Sequence, residues 1–292
     1  MDRSDTEAAR WYRAAAQQGY VPAEVQLGTF DWMGQGIPLD KKEAVNWYQK
    51  AAREGNAAAM FNLGVAYFNG EGVPEDLSEA RPWFILAEDS GSQKAIEAVN
   101  RSEAGLQTRD FNHIYFSIGQ RYQNGVQVRQ NYAAAAKWYQ RAAERNDARS
   151  AMALAGLYAS GRGVAQSFSQ MFRWCSVAAD HNSPSGMYCV GKLYRDGAGT
   201  PKDSGLAVQW FLRAVDGGFT AAYVELGEMY WNGEGVAADK VMAYVWASKA
   251  PSTMPAAKRD LDRFRASMTE QEIKKAELRM KRPSLRSPPV DN

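Results

Sequence analysis

The chain has 292 residues, 45% of them hydrophobic, and its 35 basic and 33 acidic residues leave a formal net charge of +2. This composition excludes a disordered chain, and the mixed charges provide no overall field for nucleic acid or anionic lipid. Two cysteines and two histidines exclude a disulfide framework and leave few side chains for a zinc or catalytic site. We therefore predict no metal, no cofactor and no nucleic-acid partner.

The first predicted element is a helix marked by tryptophan, and it recurs along the chain. Its tryptophans are separated by 36 residues, except for one step of 55, and stand at Trp11, Trp47, Trp83, Trp138, Trp174, Trp210 and Trp246. An alanine lies four residues after each of them. A large and a small residue at positions i and i+4 mark one face of a tightly packed helix. We call this element the Trp helix.

A second predicted helix alternates with the Trp helix and carries a Leu-Gly pair or a close equivalent. These pairs are Leu27-Gly28, Leu63-Gly64, Ile118-Gly119, Leu154-Ala155, Val190-Gly191 and Leu226-Gly227. We call this element the LG helix, and its glycine is expected to let a neighbouring helix approach closely. A tyrosine follows three residues later, except in the first copy, where Asp31 stands. Asp31 therefore predicts an edge that is frayed or was once covered.

Each LG helix is followed by a glycine loop, such as YFNGEGVPED from Tyr67 to Asp76. A dinucleotide fingerprint would follow a strand, and a phosphate-binding loop would continue with Gly-Lys-Ser/Thr. These glycines instead predict helix ends, with the first glycine of each loop as a left-handed C-cap. The predicted N-caps of the next Trp helices are Asp40, Asp76, Asn131, Ser167, Asp203 and Asp239. Glu43, Glu79 and Gln170, three residues after their caps, predict capping boxes.

One such helical hairpin cannot bury its apolar face alone, so the repeats are expected to stack on one another. The pattern A-x-x-x-LG-x-x-Y-x-x-G-x-GV-x-x-D-x-x-x-A-x-x-W-x-x-x-A-A-x-x-G resembles the Sel-1-like repeat (SLR) family, relatives of the tetratricopeptide solenoids. The resemblance covers about residues 5 to 250. It implies an all-α fold, an α-solenoid of antiparallel helix hairpins with a 36-residue period (an α/α superhelix).

The period is interrupted between Trp83 and Trp138. Residues 92–108 begin like an LG helix and resemble residues 257–269, and closing helices of this kind cap the apolar end of a stack. We therefore predict an N-terminal SLR subarray (1–108) that ends in a cap-like helix and a C-terminal SLR subarray (109–252). Closing cap helices (253–282) should follow, the last beginning at a capping box of Thr269 and Glu272, and then a disordered tail (283–292).

Two cysteines lie on neighbouring predicted helices. Cys175 and Cys189 are each about seven residues from the turn between a Trp helix and the next LG helix, so antiparallel packing could bring them together. A disulfide and two buried free thiols are both open alternatives. A disulfide would indicate an oxidising compartment.

The resemblance to tetratricopeptide solenoids implies that the LG helices line a concave, partner-binding side. The predicted binding residues on that face are Trp32, Phe61, Phe68, Phe116, Gln120, Met152, Tyr188, Lys192, Arg195, Glu228 and Trp231. Aromatic, arginine and methionine side chains are favoured at protein-binding hot spots. In an alternative interpretation, Phe61, Phe116 and Tyr188 only fill the gaps between stacked hairpins. Trp32 and Trp231, beside the glycine loops, are predicted to be exposed anchors.

The resemblance also implies a function. SLR relatives in bacteria act as scaffolds of envelope assemblies, in host interaction, or as immunity proteins that neutralise a secreted toxic effector. We therefore predict a non-catalytic, protein-binding adaptor that captures a partner protein in its groove, possible forms being an inhibitor or immunity protein. One alternative is a structural organiser of an envelope complex. Another is an enzyme that binds or hydrolyses β-lactams, as described for a few relatives, although the chain has no Ser-x-x-Lys motif.

The expected location follows from the habit of the family. No apolar run approaches the roughly 20 residues of a membrane helix, and the first ten residues lack the apolar core of a signal peptide. The family habit favours a bacterial protein that is periplasmic or otherwise exported, rather than cytoplasmic. The targeting segment would then be absent from this sequence.

Overall fold

A computed structural model describes residues 3–103 and 108–281, and these residues form sixteen α-helices and no strand. The predicted all-α fold is confirmed. The predicted tail, residues 283–292, lies outside the described residues, as do Ala104 and Leu106 of the first cap-like segment.

The chain divides into two compact units, residues 1–145 and 146–292, which we call unit 1 and unit 2. The described helices of unit 1 are α1 (Arg3–Gln17), α2 (Val21–Met33), α3 (Lys41–Arg53), α4 (Ala57–Asn69), α5 (Leu77–Asp89), α6 (Gln93–Glu103), α7 (Thr108–Asn124) and α8 (Tyr132–Ala143). The predicted subarray boundary at 108/109 falls inside this unit, and the division into two subarrays stays a prediction.

Unit 2 continues the alternation of LG helices and Trp helices. Its described helices are α9 (Ala148–Ser160), α10 (Phe168–Asp180), α11 (Pro184–Asp196), α12 (Ser204–Asp216), α13 (Ala221–Asn232), α14 (Lys240–Ser248), α15 (Pro255–Ala266) and α16 (Glu270–Met280). The helix expected to begin at Thr269 is thus present as α16.

Within each unit, an LG helix packs against the Trp helices that precede and follow it. In unit 1, α2 lies between α1 and α3, and α4 lies between α3 and α5. The helix α6 packs on α5 in the way that the next LG helix would, through the buried side chains of Ala95 and Val99. In unit 2, α15 packs on both α13 and α14, and α16 packs on α14. The helix α6, which interrupts the period, and the helix α15, which follows the last repeat, therefore each cover a Trp helix.

The six predicted N-caps are confirmed. Each cap side chain accepts a hydrogen bond from a backbone N–H in the first turn of its Trp helix. In α3, for example, the Asp40 carboxylate accepts from the Glu43 N–H at 2.9 Å. Such a bond satisfies one of the N–H groups that a helix start leaves without a partner.

The capping boxes predicted for the Trp helices are wrong. The Glu43 carboxylate accepts from the Asn46 side chain at 2.9 Å, and the Glu79 carboxylate accepts from Arg121 at 2.8 Å. The cap N–H groups already have acceptors on the preceding LG helix. The Asp40 N–H donates to the Asp31 carbonyl at 2.8 Å, and the Asp76 N–H donates to the Tyr67 carbonyl at 2.9 Å. At Gln170, the structure shows only the Ser167 half of the box, at 3.3 Å.

The capping box predicted at the last helix is confirmed. The Thr269 hydroxyl accepts from the Glu272 N–H at 3.3 Å, and the Glu272 carboxylate accepts from the Thr269 N–H at 2.7 Å. Both of these donors would otherwise be free at the start of α16.

The glycine loops are helix ends, as predicted. The first glycine of each loop has φ between 68° and 72° and caps an LG helix, at Gly34, Gly70, Gly161, Gly197 and Gly233. The second glycine has a role that the sequence pattern did not reveal. A Cβ at Gly72 would lie 2.3 Å from the Lys41 carbonyl oxygen at the start of α3. The loop therefore packs backbone to backbone on the preceding Trp helix, where only glycine fits.

The glycine of the LG helix makes room for an aromatic ring on the next Trp helix. A Cβ at Gly64 would lie 2.4 Å from the Phe84 ring, and one at Gly191 would lie 2.8 Å from the Phe211 ring. In the one repeat where alanine replaces this glycine, at Ala155, the aromatic position holds the smaller Cys175. The ring and the missing side chain therefore form one packing unit.

We expect Gly64→Ala to lower the free energy of unfolding by about 1–2 kcal/mol, because the added methyl group overlaps the buried Phe84 ring. Gly227→Ala is the matched control. There the nearest atom would be 3.2 Å away, and the higher helix propensity of alanine, about 1 kcal/mol, offsets the contact. Urea denaturation of both variants gives the comparison, and equal stabilities would contradict this packing.

The structure joins Cys175 and Cys189 in a disulfide, with 5.9 Å between their Cα atoms. Of the two alternatives that the sequence leaves open, the structure therefore contains the bonded one. The bond links the Trp helix α10 to the LG helix α11. Both cysteines are buried.

Candidate functional site

The predicted binding residues lie in both units, and the structure groups only some of them. In unit 1, Trp32 and Phe61 share one cavity. In unit 2, Arg195 and Glu228 share another. The remaining predicted residues lie along the LG helices outside these two cavities.

The cavity in unit 1 has a volume of about 590 Å³ and a mostly apolar lining. We call it the unit-1 groove. It is lined by α2, α4, Tyr48 of α3 and the start of α6, with the residues Val25, Gln26, Thr29, Trp32, Met33, Tyr48, Ala58, Phe61, Asn62, Val65, Ser92, Gln93 and Lys94. Ligand-binding cavities commonly have volumes of about 300–1,000 Å³ and a similarly apolar lining.

The repeat explains why these side chains share one surface. Val25 and Phe61 are 36 residues apart and so occupy the same position in successive LG helices, as do Gln26 and Asn62. Equivalent positions of stacked repeats point the same way. The third wall is different, because α6 lies outside the regular period and brings Lys94 to the groove through its own first turn.

Trp32 forms one aromatic wall of the groove. Its ring lies 6.2 Å from the Tyr48 ring and 5.2 Å from the Lys41 ammonium group. That ammonium group also pairs with Glu71 at 2.9 Å. Because these neighbours leave Trp32 half-buried, the prediction of an exposed anchor is wrong here. One face of the indole is held in place, and another edge lines the cavity.

Phe61 forms the other aromatic wall. Its ring lies 5.8 Å from the buried Phe84 ring, and it remains half-buried beside the cavity. Phe61 therefore packs on the Trp helix of its own hairpin and also lines the groove. Phe68, at the end of α4, is 43% exposed, with its ring 6.3 Å from Phe84. It lies outside the groove lining.

The predicted residues of the next two LG helices are dispersed. The Phe116 ring lies 5.7 Å from the Tyr139 ring, which belongs to the Trp helix of the same hairpin. Gln120 is exposed on α7, and Met152 is half-buried on α9. The structure brings none of these three residues into the lining of the unit-1 groove.

In unit 2, the predicted residues of α11 are tied to α13. The Tyr188 hydroxyl donates to the Glu225 carboxylate at 2.8 Å, and Arg195 pairs with the same carboxylate. Burial, together with the Glu225 charge, raises the pKa of Tyr188 well above its usual range. Lys192 lies 5.9 Å from the Tyr188 ring centre. Tyr188 and Arg195 therefore stabilise the stacking of two repeats.

Sequence reasoning missed Glu225. It lies 36 residues after Cys189, at the same position of the next repeat. When the one step of 55 residues is allowed for, Gln26 and Asn62 occupy that position in the earlier repeats. The other repeats have an uncharged residue at this position. The carboxylate of Glu225 was therefore the one sequence feature that could have marked it as a functional or structural residue. Its two partners, on another helix, could not be assigned from spacing alone.

The unit-2 cavity has a volume of about 530 Å³ and is lined mainly by charged and polar residues, including Arg195, Lys202 and Glu228. Most of its charges are paired within the protein. Arg195 pairs with Asp196 at 2.8 Å in addition to Glu225, and Glu228 pairs with Arg263 at 2.7 Å. These contacts leave less unsatisfied charge for a ligand.

Trp231 is not the exposed anchor that we predicted. Its ring stacks on the Phe264 ring at 4.4 Å and 16°, and Trp231 is half-buried. Phe264 belongs to α15, the closing helix of unit 2. Trp231 is less exposed than predicted because it contacts α15, a helix that lies outside the repeat pattern.

Comparison with protein-family models matches the Sel1 repeat at seven places, over residues 1–20, 21–56, 57–92, 115–147, 148–183, 184–219 and 220–250. The chain belongs to the Sel1 repeat family. Membership confirms the predicted α-solenoid of helix hairpins. The unmatched stretch after residue 92 contains α6, so the third wall of the unit-1 groove comes from an insertion between Sel1 repeats.

Similar solved structures carry the same kind of repeat. The Sel1 repeat protein from Oxalobacter formigenes is 30% identical, with 87% of this chain and 80% of that chain covered and a TM-score of 0.48. The protein c5321, a protective antigen present in uropathogenic Escherichia coli strains, is 23% identical, with coverages of 94% and 78% and a TM-score of 0.39. A sel1 repeat protein from Klebsiella pneumoniae is 19% identical, with coverages of 76% and 98% and a TM-score of 0.29.

A search of curated proteins found no match. Because the TM-scores of these three structures are below 0.5, the superpositions support no inference about a site. Sel1 repeat proteins generally act as protein-interaction scaffolds. A more specific function must therefore be argued from the residues of this chain.

Within residues 3–103 and 108–281, every helix is too short or too polar to span a lipid bilayer. In the same part of the chain, no group of three or more His, Cys, Asp or Glu side chains is placed to hold a metal ion.

The first complete Sel1 repeat contains a buried acid next to the groove residue Trp32. Asp31 is 3% exposed, and one of its carboxylate oxygens has no hydrogen-bond partner among the described residues. Burial raises the pKa of Asp31 to about 6, although Arg13 opposes the shift. The negative charges of Glu43 and Asp40 raise this pKa further. The helix α2 continues to Met33, so this end of the helix is not frayed.

We expect Asp31→Asn to stabilise the protein by about 1–2 kcal/mol near neutral pH. Because the pKa of Asp31 is higher in the folded state, folding favours the protonated acid, and stability is lost as pH rises from about 4 to about 6. A neutral amide avoids this cost, although its own donors need partners.

The measurement is the urea unfolding free energy of both proteins between about pH 3.5 and pH 8. The advantage of the amide should vanish at the acidic end. Glu7→Gln, at an exposed acid of α1, is the control and should give no such pH-dependent difference. If the gain in unfolding free energy from Asp31→Asn were the same at every pH, ionisation of the Asp31 carboxyl group would not destabilise the folded protein.

Proposed function

We propose that this chain is a non-catalytic protein-binding scaffold and that its unit-1 groove captures a segment of a partner protein. The observation that carries the proposal is the groove itself, a cavity of about 590 Å³ between LG helices with Trp32 and Phe61 as aromatic walls. Aromatic side chains in a concave, largely apolar site are the usual anchors of a protein interface.

The unit-1 groove is favoured over the unit-2 cavity for an energetic reason. Arg195 and Glu228 of unit 2 already have ion-pair partners, and a ligand would have to replace those contacts. The groove residues Trp32, Phe61 and Val65 offer apolar surface, whose burial contributes about 25 cal/mol per Å². Binding in the groove therefore gains free energy without breaking an internal contact.

A blocking substitution tests the proposal. Ala58 is exposed on α4 and lines the groove, so Ala58→Trp should fill the groove without disturbing the core. We expect this variant to lose partner proteins that the unchanged chain captures from an extract of its native host. Ala14→Trp, at an exposed position of α1, is the matched control and should retain them.

The readout is quantitative mass spectrometry of the captured proteins, with thermal unfolding to show that both variants are folded. Phe61→Ala, which removes one wall of the groove, should weaken capture of the same partners. If Ala58→Trp and Ala14→Trp capture the same proteins in equal amounts, binding does not use the unit-1 groove.

The proposal has narrower forms that depend on the identity of the partner. If the captured protein is a secreted bacterial toxin, the chain is its inhibitor or immunity protein. Addition of the chain should then restore growth of cells that express the toxin. A component of an envelope complex would make it a structural organiser. Measurable hydrolysis of a chromogenic β-lactam would instead contradict the non-catalytic assignment.

We also propose an exported, oxidising location such as the periplasm. The disulfide between Cys175 and Cys189 supports it, because disulfides persist in such compartments and are rare in reducing ones. Alkylation of unbonded thiols, in cells quenched with acid and then denatured so that buried thiols are accessible, tests this location. Both cysteines should be protected from the reagent until a reductant is added.

A further inference from the structure

The polar side chains of the unit-1 groove are three amides, the hydroxyl groups of Thr29, Tyr48 and Ser92, and the ammonium group of Lys94. Gln26, Asn62 and Gln93 bring side-chain amides from three helices to the lining, and Gln26 and Gln93 are exposed. Each amide offers both donors and an acceptor. The backbone of a bound α-helix is already satisfied within the helix, whereas an extended segment presents free N–H and C=O groups. The lining therefore fits an extended segment better than a helical one.

The groove has a one-sided charge. Lys94 is its single charged lining residue, and no carboxylate lines it. Lys94 is exposed in the first turn of α6, where the backbone N–H groups add positive potential. It forms no ion pair with another residue of the described ranges. The other nearby ammonium group, that of Lys41, is already paired with Glu71.

We propose that the unit-1 groove recognises an extended peptide segment in which an acidic residue lies close to an apolar one. The apolar side chain lies between Trp32 and Phe61, and the carboxylate pairs with Lys94. The inference rests on the proposed function, because it names the class of segment that the same groove binds. Its specificity comes from charge complementarity, which selects partners more than it adds affinity.

A random library of peptides of about 12 residues, displayed on phage, is the probe. It is selected on the full chain and counter-selected on Ala58→Trp, so that only groove-dependent peptides remain. We expect those peptides to be enriched in Asp or Glu near Leu, Phe or another large apolar residue. The recovered peptides are then synthesised, and their dissociation constants are measured.

Lys94→Glu should weaken the binding of these peptides about tenfold, because it removes an ion pair and adds a repulsion. The matched control is Lys42→Glu, at an exposed lysine outside the groove, which should change binding less than twofold. The difference between the two variants should shrink in about 1 M salt, where the Debye length is about 3 Å.

The outcomes separate the inference from the proposed function. Groove-dependent peptides without acidic residues, or with unchanged affinity for Lys94→Glu, would overturn the inference and leave the proposed function standing. A helical bound peptide, seen from its NMR chemical shifts, would also overturn it. If no selected peptide is lost on Ala58→Trp, both the inference and the assignment of binding to the groove fail.

Discussion

Trp138→Ala is expected to lower the free energy of unfolding by about 3–5 kcal/mol, the usual cost of removing a buried tryptophan. Trp138 is 1% exposed, and its ring lies 5.7 Å from the Tyr115 ring and 4.3 Å from the Arg141 guanidinium group. Truncation leaves a cavity between the LG helix and the Trp helix, which the stacked helices can close only in part. The same argument applies to the buried Trp174.

The chain contains a matched control for this prediction. Trp11 occupies the same repeat position but is 76% exposed, so Trp11→Ala should change the unfolding free energy by less than about 0.5 kcal/mol. Urea denaturation followed by far-ultraviolet circular dichroism measures both variants. Similar losses for Trp138→Ala and Trp11→Ala would show that burial does not determine the role of the repeated tryptophan.

Removal of the disulfide is expected to cost about 3 kcal/mol, the value for a closed loop of about 15 residues. The bond joins residues 14 apart, so it restricts the unfolded chain between α10 and α11. The double variant Cys175→Ala/Cys189→Ala keeps small apolar side chains at both buried positions. In a repeat fold, stability is a sum of local terms, so the loss should be concentrated in this hairpin of unit 2.

Hydrogen exchange tests where the loss occurs. Amides of α10 and α11 should exchange faster in the double variant, and those of α3 and α4 in unit 1 should keep their rates. Reduction of the unchanged chain should reproduce the effect. An unchanged exchange rate in α10 and α11 after reduction would show that the bond does not stabilise this hairpin.

The helices, their ends and the family were predictable because they depend on local features. An N-cap such as Asp76 bonds to an N–H two or three residues away, and a left-handed glycine such as Gly70 acts within its own loop. The Trp helix and the LG helix each carry their apolar face within about a dozen residues. Repetition then makes the pattern visible several times over. These features could be read without knowing which helices touch.

The candidate site was predictable only in part. Trp32 and Phe61 were predicted from the repeat, because the predicted binding positions of stacked LG helices share a face. Phe68, at the repeat position of Trp32, lies outside the groove lining. Lys94 was missed because α6 lies outside the period and its packing on α5 is a tertiary contact. Trp231 was predicted to be exposed, yet Phe264 covers it from a helix whose position the repeat does not define.

The amino-acid sequence alone thus established the helical hairpins, their caps and their membership of the Sel1 repeat family. The fold in three dimensions was needed to show that Cys175 meets Cys189, that Arg195 pairs with Glu225, and that a groove opens beside Lys94. The physical reason is the range of the interactions. Caps and turns act over a few residues of chain, whereas the disulfide, the ion pair and the groove depend on distances between helices.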